Sequence, residues 1–145
     1  MGIDLTAREM LDRLISFQTV SRDSNLPLID FVEDYLNSHG VQCLRDYDET
    51  GEKANLYCHI GPEIEGGVVL SGHTDVVPVD GQDWTVDPWV VTEKDGKLFG
   101  RGTTDMKGFV AIALAAVPAM LEAGLKRPIQ LALSYDEEVG LLGAR

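Results

Sequence analysis

Long apolar runs are missing from this chain of 145 residues. No stretch approaches the roughly 18 consecutive apolar residues of a membrane-spanning helix, so a membrane is not an expected partner. Basic residues are scarce as well. Twelve Lys and Arg stand against 24 Asp and Glu, a formal net charge of −12. An acidic surface repels phosphate backbones, which argues against nucleic acid as a partner and favours metal cations. Cysteine is limited to Cys43 and Cys58, in separate strand-like segments without CxxC or zinc-knuckle spacing. They read as two reduced thiols of a reducing compartment. The opening "MGIDLTARE" lacks a basic region followed by an apolar one, so no secretory signal is read there and a cytoplasmic protein is expected. Internal repeats and low-complexity tracts are absent too.

What is present is a chain with 44% hydrophobic residues, suited to one globular unit. Leu11, Leu14 and Ile15 follow helical spacing, predicting an amphipathic helix over 6–17. Leu28, Val32, Tyr35 and Leu36 mark a second helix, closed by Gly40. "VQCLR" and "NLYCHI" read as strands with "DETGEK" turning between them, and "GGVVLSGH" as a strand buried on both faces. Asp95-Gly96 signals a hairpin in "VVTEKDGKLFG". A helix is expected over 106–123, disturbed by Pro118, then a strand from Ile129 to Leu133, and a helix start at "GLLGAR". Strands alternating with helices imply an α/β layered domain with a largely parallel sheet, in which ligands bind beyond the carboxyl ends of the strands.

Three polar clusters fall where such a site belongs: "SGHTD", "GRGTTDMKG" and "SYDEE". Asp75 lies two residues beyond His73, on the same side of an extended segment, where its carboxylate can fix the imidazole tautomer and leave the other nitrogen for a metal. "GRGTTDMKG" fails as a dinucleotide fingerprint because Asp105 takes the place of the last glycine, and as a phosphate loop because Gly108 follows Lys107. An acid at the tip of a glycine-rich turn suits a cation better than a phosphate. "DYDETG" imitates the opening of a calcium loop, but Tyr57 stands where the bidentate Glu belongs. The acids Asp136, Glu137 and Glu138 repel one another, and a divalent cation relieves that repulsion. In an extended segment Glu137 and Glu138 face opposite ways, so one can bind metal while the other moves protons.

"SGHTDVVP", "GRGTTDMKG" and "SYDEE", in that order, resemble the three N-terminal signatures of the zinc aminoacylase and exopeptidase family. The similarity is specific from about Val68 to Gly143 and vaguer before it. By that resemblance the fold is an α/β/α layered catalytic domain with a mixed, largely parallel sheet. His73 is similar to the histidine ligand of one zinc and Asp75 to the carboxylate orienting it. Asp105 resembles the aspartate bridging two metals, followed by a cis peptide to Met106. Glu137 is similar to the general base and Glu138 to a ligand of the second zinc, with Co or Mn possible at such donors. The implied reaction is removal of the acyl group from a small N-acyl amino acid. The resemblance also implies that residues 1–145 form the N-terminal part of a catalytic domain. The remaining ligands and a lid and dimerisation domain would lie beyond Arg145, the full-length form a homodimer and these residues alone inactive. A non-catalytic metal-binding or interaction module is the rival from another class.

Overall fold

A computed structural model describes residues 2–145. Thr6 starts the first helix, α1 (Ala7–Ser16), through a reciprocal cap: its hydroxyl accepts from the Glu9 amide while the Glu9 carboxylate accepts from the Thr6 amide at 2.8 Å. One face of α1 buries Met10, Leu11, Leu14 and Ile15. Each such side chain contributes about 1.5–3 kcal/mol on leaving water. The second helix, α2 (Leu26–Ser38), buries Leu28, Ile29, Val32, Tyr35 and Leu36. Gly40 follows with φ +80°, the left-handed closure the sequence signalled.

Six strands follow, at Cys43–Tyr47 (β1), Ala54–Ile60 (β2), Val68–His73 (β3), Thr92–Lys94 (β4), Lys97–Phe99 (β5) and Ile129–Ser134 (β6). The main sheet has the order β1-β2-β6-β3. β1 pairs antiparallel with β2, β2 antiparallel with β6, and β3 parallel with β6. The sheet is mixed, as expected, but its parallel share is one pairing of three. A short turn between β1 and β2 imposes an antiparallel partner, whereas the long crossover from β3 to β6 lets those two run parallel. β4 and β5 form a separate hairpin whose turn residues Asp95 and Gly96 both have positive φ, as a type I′ turn requires.

The helix expected over 106–123 is two: α3 (Lys107–Ala115) and α4 (Val117–Glu122). Pro118 sits in the first turn of α4, where its missing N–H has no partner to lose. "GLLGAR" gives only one 3-10 turn, Leu142–Ala144.

Alternation along β2 shows where the core lies. Ala54, Leu56, Cys58 and Ile60 are buried and share one cluster with the apolar faces of α1, α2 and α3 and with Leu131 and Leu133 of β6. On the opposite face of the sheet, Leu44, Tyr57 and Val69 are exposed. Helices therefore cover one face among the described residues, two of the three layers expected. β3 is not buried on both faces: Val69, on the open face, is 53% exposed, and Val68, on the helix-covered face but at the start of an edge strand, is 57% exposed. No helix of the described residues is long and apolar enough to cross a membrane.

Candidate metal centre

The carboxyl ends of β3 and β6 lie side by side, with His73 in register with Ser134. Beyond β3 the chain stays extended and is stitched on both flanks. Thr74 donates through its amide to the Ser134 carbonyl at 2.9 Å, and Thr19 donates its hydroxyl to the Thr74 carbonyl at 2.6 Å. Val76 and Thr19 continue the pairing at 3.0 Å, in a parallel bridge between Val20 and Val76. Buried Asn25 closes the floor, accepting from the Ala54 amide and donating to the Ala54 carbonyl and the Thr74 hydroxyl. This rigid segment carries His73 and Asp75.

His73 is 4% exposed. Its Nδ1 donates to the main-chain carbonyl of Asp75 at 2.8 Å, with the Asp75 carboxylate at 3.4 Å. The backbone oxygen is thus the nearer partner, in a role the sequence reading gave to the carboxylate. Either acceptor fixes the same tautomer and leaves Nε2 for the site. Nε2 lies 3.0 Å from Asp105 and 3.6 Å from Glu137. Burial alone would lower the imidazole pKa, but Asp75 and Asp105 outweigh it and raise it to about 9.

The Asp75 carboxylate serves the acidic turn instead. It accepts from the amides of Glu137 at 3.0 Å and Glu138 at 3.2 Å, and from the Ser21 hydroxyl at 2.6 Å. Burial opposes its charge, yet the bonds from His73, Ser21 and the two amides hold its pKa down to about 2. One buried carboxylate therefore ties the histidine segment to the double glutamate.

Glu137 and Glu138 do not face opposite ways as an extended chain would have them. The strand ends at Ser134, and Asp136 adopts φ +52°, bending the chain so that both carboxylates turn toward His73. Ligand atoms of His73, Glu137 and Glu138 lie within 4.8 Å of one another. Asp136 belongs to a different task. It is buried and paired with the Lys53 ammonium at 2.6 Å, which also donates to the Ser21 carbonyl. Its neighbours in sequence gave no sign of this split, since three consecutive acids look alike without the turn.

Asp105 reaches the site from the glycine-rich segment, its side chain largely exposed. The Asp105–Met106 peptide is cis. Gly102, at φ +89°, passes so close to Val76 that a Cβ would stand 2.7 Å from its Cγ1. Lys107 anchors the same segment from below: it is 1% exposed and donates to the carbonyls of Leu14 at 2.9 Å and Phe17 at 2.7 Å, at the end of α1. Burial pulls its pKa down to about 7 against the opposing charge of Asp75. The sequence reading missed Lys107; a lysine in the first turn of an apolar helix was the available signal.

One imidazole nitrogen and three carboxylates thus converge from β3, the turn after β6 and the start of α3. Burial and the charges of Asp105, Glu137 and Asp75 push the Glu138 pKa up, against the pull of His73. Such crowding of negative charge around one imidazole nitrogen, whose proton a metal would displace, fits a divalent cation. The loop at Asp48 does not: its carboxylate accepts from the amides of Glu52 and Lys53 and closes the β1–β2 turn. His39 and His59 stand apart from the site, as expected.

The fold and this donor set together are those of a metallopeptidase-like α/β domain. The sequence profile described as Peptidase family M20/M25/M40 matches residues 69–145, and the chain belongs to that family. It is 40% identical over 144 residues to the acetylornithine deacetylase of Pasteurella multocida, covering 94% of this chain and 37% of that protein. It superposes on human carnosine dipeptidase 1 with TM-score 0.81 at 26% identity, across 94% of this chain and 33% of the other. An M20 family metallo-carboxypeptidase of Sulfolobus solfataricus shares the fold with TM-score 0.84 at 19% identity, over 97% and 33%. The chain spans about a third of the length of these relatives.

Proposed function

We propose that this chain contributes to the active site of a metal-dependent amidohydrolase that removes the acyl group from an N-acyl amino acid. N-acetylornithine is the favoured substrate and zinc the favoured metal. The observation carrying this reading is the approach of His73, Glu137 and Glu138 donor atoms to within 4.8 Å, with Asp105 beside His73. The choice of substrate is supported by the 40% identity to an acetylornithine deacetylase.

In this reading His73 Nε2, Asp105 and Glu138 would hold the metal, zinc being favoured and two ions expected of the complete site. A bound divalent cation supplies Lewis acidity, polarising an acyl carbonyl and making water acidic enough to lose a proton near neutral pH. Glu137, 3.6 Å from His73 Nε2 and partly open to solvent, takes the proton of the attacking water. It returns that proton to the leaving nitrogen, because an amide anion is too basic to depart unprotonated. Asp75 stays charged and holds both glutamate amides in place while Glu137 exchanges its proton. Divided between two ions, these donors give each fewer than the four that close a zinc shell. Weak zinc binding and little turnover are therefore expected of the 145 residues by themselves.

Two measurements test the proposal. Calorimetric zinc titration of the chain should show uptake that His73→Ala abolishes; equal uptake by both would overturn the ligand assignment. Residues 1–145 exchanged into the Pasteurella deacetylase should retain hydrolysis of N-acetylornithine and lose it with Glu137→Gln. A chimera that instead hydrolyses succinyl-diaminopimelate or a dipeptide would move the substrate within the family. A chimera that binds metal yet hydrolyses none of them would favour the non-catalytic module.

A further inference from the structure

Cys43 and Cys58, read from the sequence as separate thiols, are directly opposite each other in the antiparallel pairing of β1 and β2. Opposed residues of an antiparallel pair have Cα atoms about 4.5–5.5 Å apart and point to the same face. A disulfide accepts Cα separations of about 4.4–6.8 Å, so no backbone shift is needed to bridge this pair. We infer that Cys43 and Cys58 form a two-electron oxidation site, a dithiol that a hydroperoxide converts to a cross-strand disulfide.

The two thiols differ in a way that gives each a part. Cys58 is 1% exposed and closed off in the core. Cys43 is half-buried and lines a surface depression of about 420 Å³ together with Gly40, Gln42, Leu44, His59 and Glu63. A small oxidant thus reaches Cys43 and not Cys58. The neighbouring Cys58 thiol lowers the Cys43 pKa, opposed by burial and Glu33 and helped by Arg45. The same pairing and burial raise Cys58.

The chemistry balances in two steps. The Cys43 thiolate attacks one peroxide oxygen; the O–O bond breaks, hydroxide leaves and is protonated to water, and Cys43 becomes a sulfenic acid. The Cys58 sulfur then attacks the Cys43 sulfur. The S–O bond breaks and hydroxide departs as a second water with the Cys58 proton. Two thiols and one hydrogen peroxide give one disulfide and two waters, with two electrons passing from sulfur to peroxide. The product staples the edge strand β1 to β2, on the far side of β2 from the metal-binding residues in the sheet order.

The test is peroxide treatment of the 145-residue chain, native and guanidinium-denatured, followed by alkylation and peptide mass analysis. The native chain should lose about 2 Da, become blocked to alkylation at both cysteines, and yield one peptide pair joined through Cys43 and Cys58. Cross-linking should run at least about tenfold faster in the native chain than in the denatured one, and dithiothreitol should reverse it. Cys58→Ser should stop at a dimedone-trappable sulfenic acid on Cys43, while Cys43→Ser should leave Cys58 unmodified. Equal rates in native and denatured chain, sulfinic acid on Cys43 of the wild type, or two thiols still alkylated after peroxide would each overturn the assignment.

Discussion

The Asp75 carboxylate accepts the Glu137 amide at 3.0 Å, across 62 residues of chain. With the Glu138 amide and the Ser21 hydroxyl on its other oxygen, and the main-chain carbonyl of the same residue on His73, Asp75 sets the distance between the imidazole and the paired glutamates. Asp75→Asn keeps the shape but turns one acceptor into a donor facing donors. Zinc affinity should fall about 10–100-fold, the range found when the groups orienting a ligand are lost. Calorimetric titration of the two proteins checks this.

The same residue makes a prediction about pH. Its folded pKa of about 2 lies below the ordinary 3.8, so its charge stabilises the fold above pH 4, and that contribution fades as pH falls toward 2. The gap of nearly two units corresponds to roughly 2 kcal/mol. Denaturant titrations of wild type and Asp75→Asn between about pH 6 and pH 2 should show a stability difference that narrows by about that amount as pH falls from about 5 toward 2. A difference unchanged across that range would mean the carboxylate gains nothing from its partners.

Asp136 separates structural from functional acidity in "SYDEE". Asp136→Asn keeps a residue that tolerates positive φ while removing the charge facing Lys53. A buried ammonium left without its partner costs about 3–5 kcal/mol, and the partial exposure of this pair places the expected loss at the low end. Glu137→Gln, by contrast, should leave the unfolding midpoint nearly unchanged. Parallel urea melts distinguish the two.

Much of this was legible in the residues. The helix read over 6–17, the strand "NLYCHI" and the Asp95-Gly96 turn each follow local rules, and the structure obeys them. His73, Asp105, Glu137 and Glu138 could be picked out because their motifs fall at strand ends, and the fold brings them together. What escaped depends on non-local geometry. The opposition of Cys43 and Cys58 is a matter of register, which neither strand specifies alone. The direction of Glu137 and Glu138 depends on the left-handed turn at Asp136, stabilised by a lysine 83 residues away. The open face of the sheet could not be read from the apolar run Val68–Leu70, because an edge strand and a central one look alike in sequence.

Lys107 provides a last prediction. Its ammonium is enclosed between the end of α1 and the segment that presents Asp105, donating to the carbonyls of Leu14 and Phe17, which also accept from the Phe17 and Thr19 amides. Carbonyls at a helix C-terminus carry partial negative charge, so the hydrogen bonds and the helix dipole offset part of the cost of burying this lysine. Lys107→Met preserves the aliphatic length but removes two buried hydrogen bonds, leaving each carbonyl only its backbone partner. A loss of about 1–3 kcal/mol is expected, as each hydrogen bond removed contributes about 0.5–1.5 kcal/mol. Lys107→Arg should not rescue it, since the larger guanidinium does not fit a site 1% exposed and already filled. If the Met variant melts with the wild type, α1 and the Asp105 segment are held together by apolar packing alone.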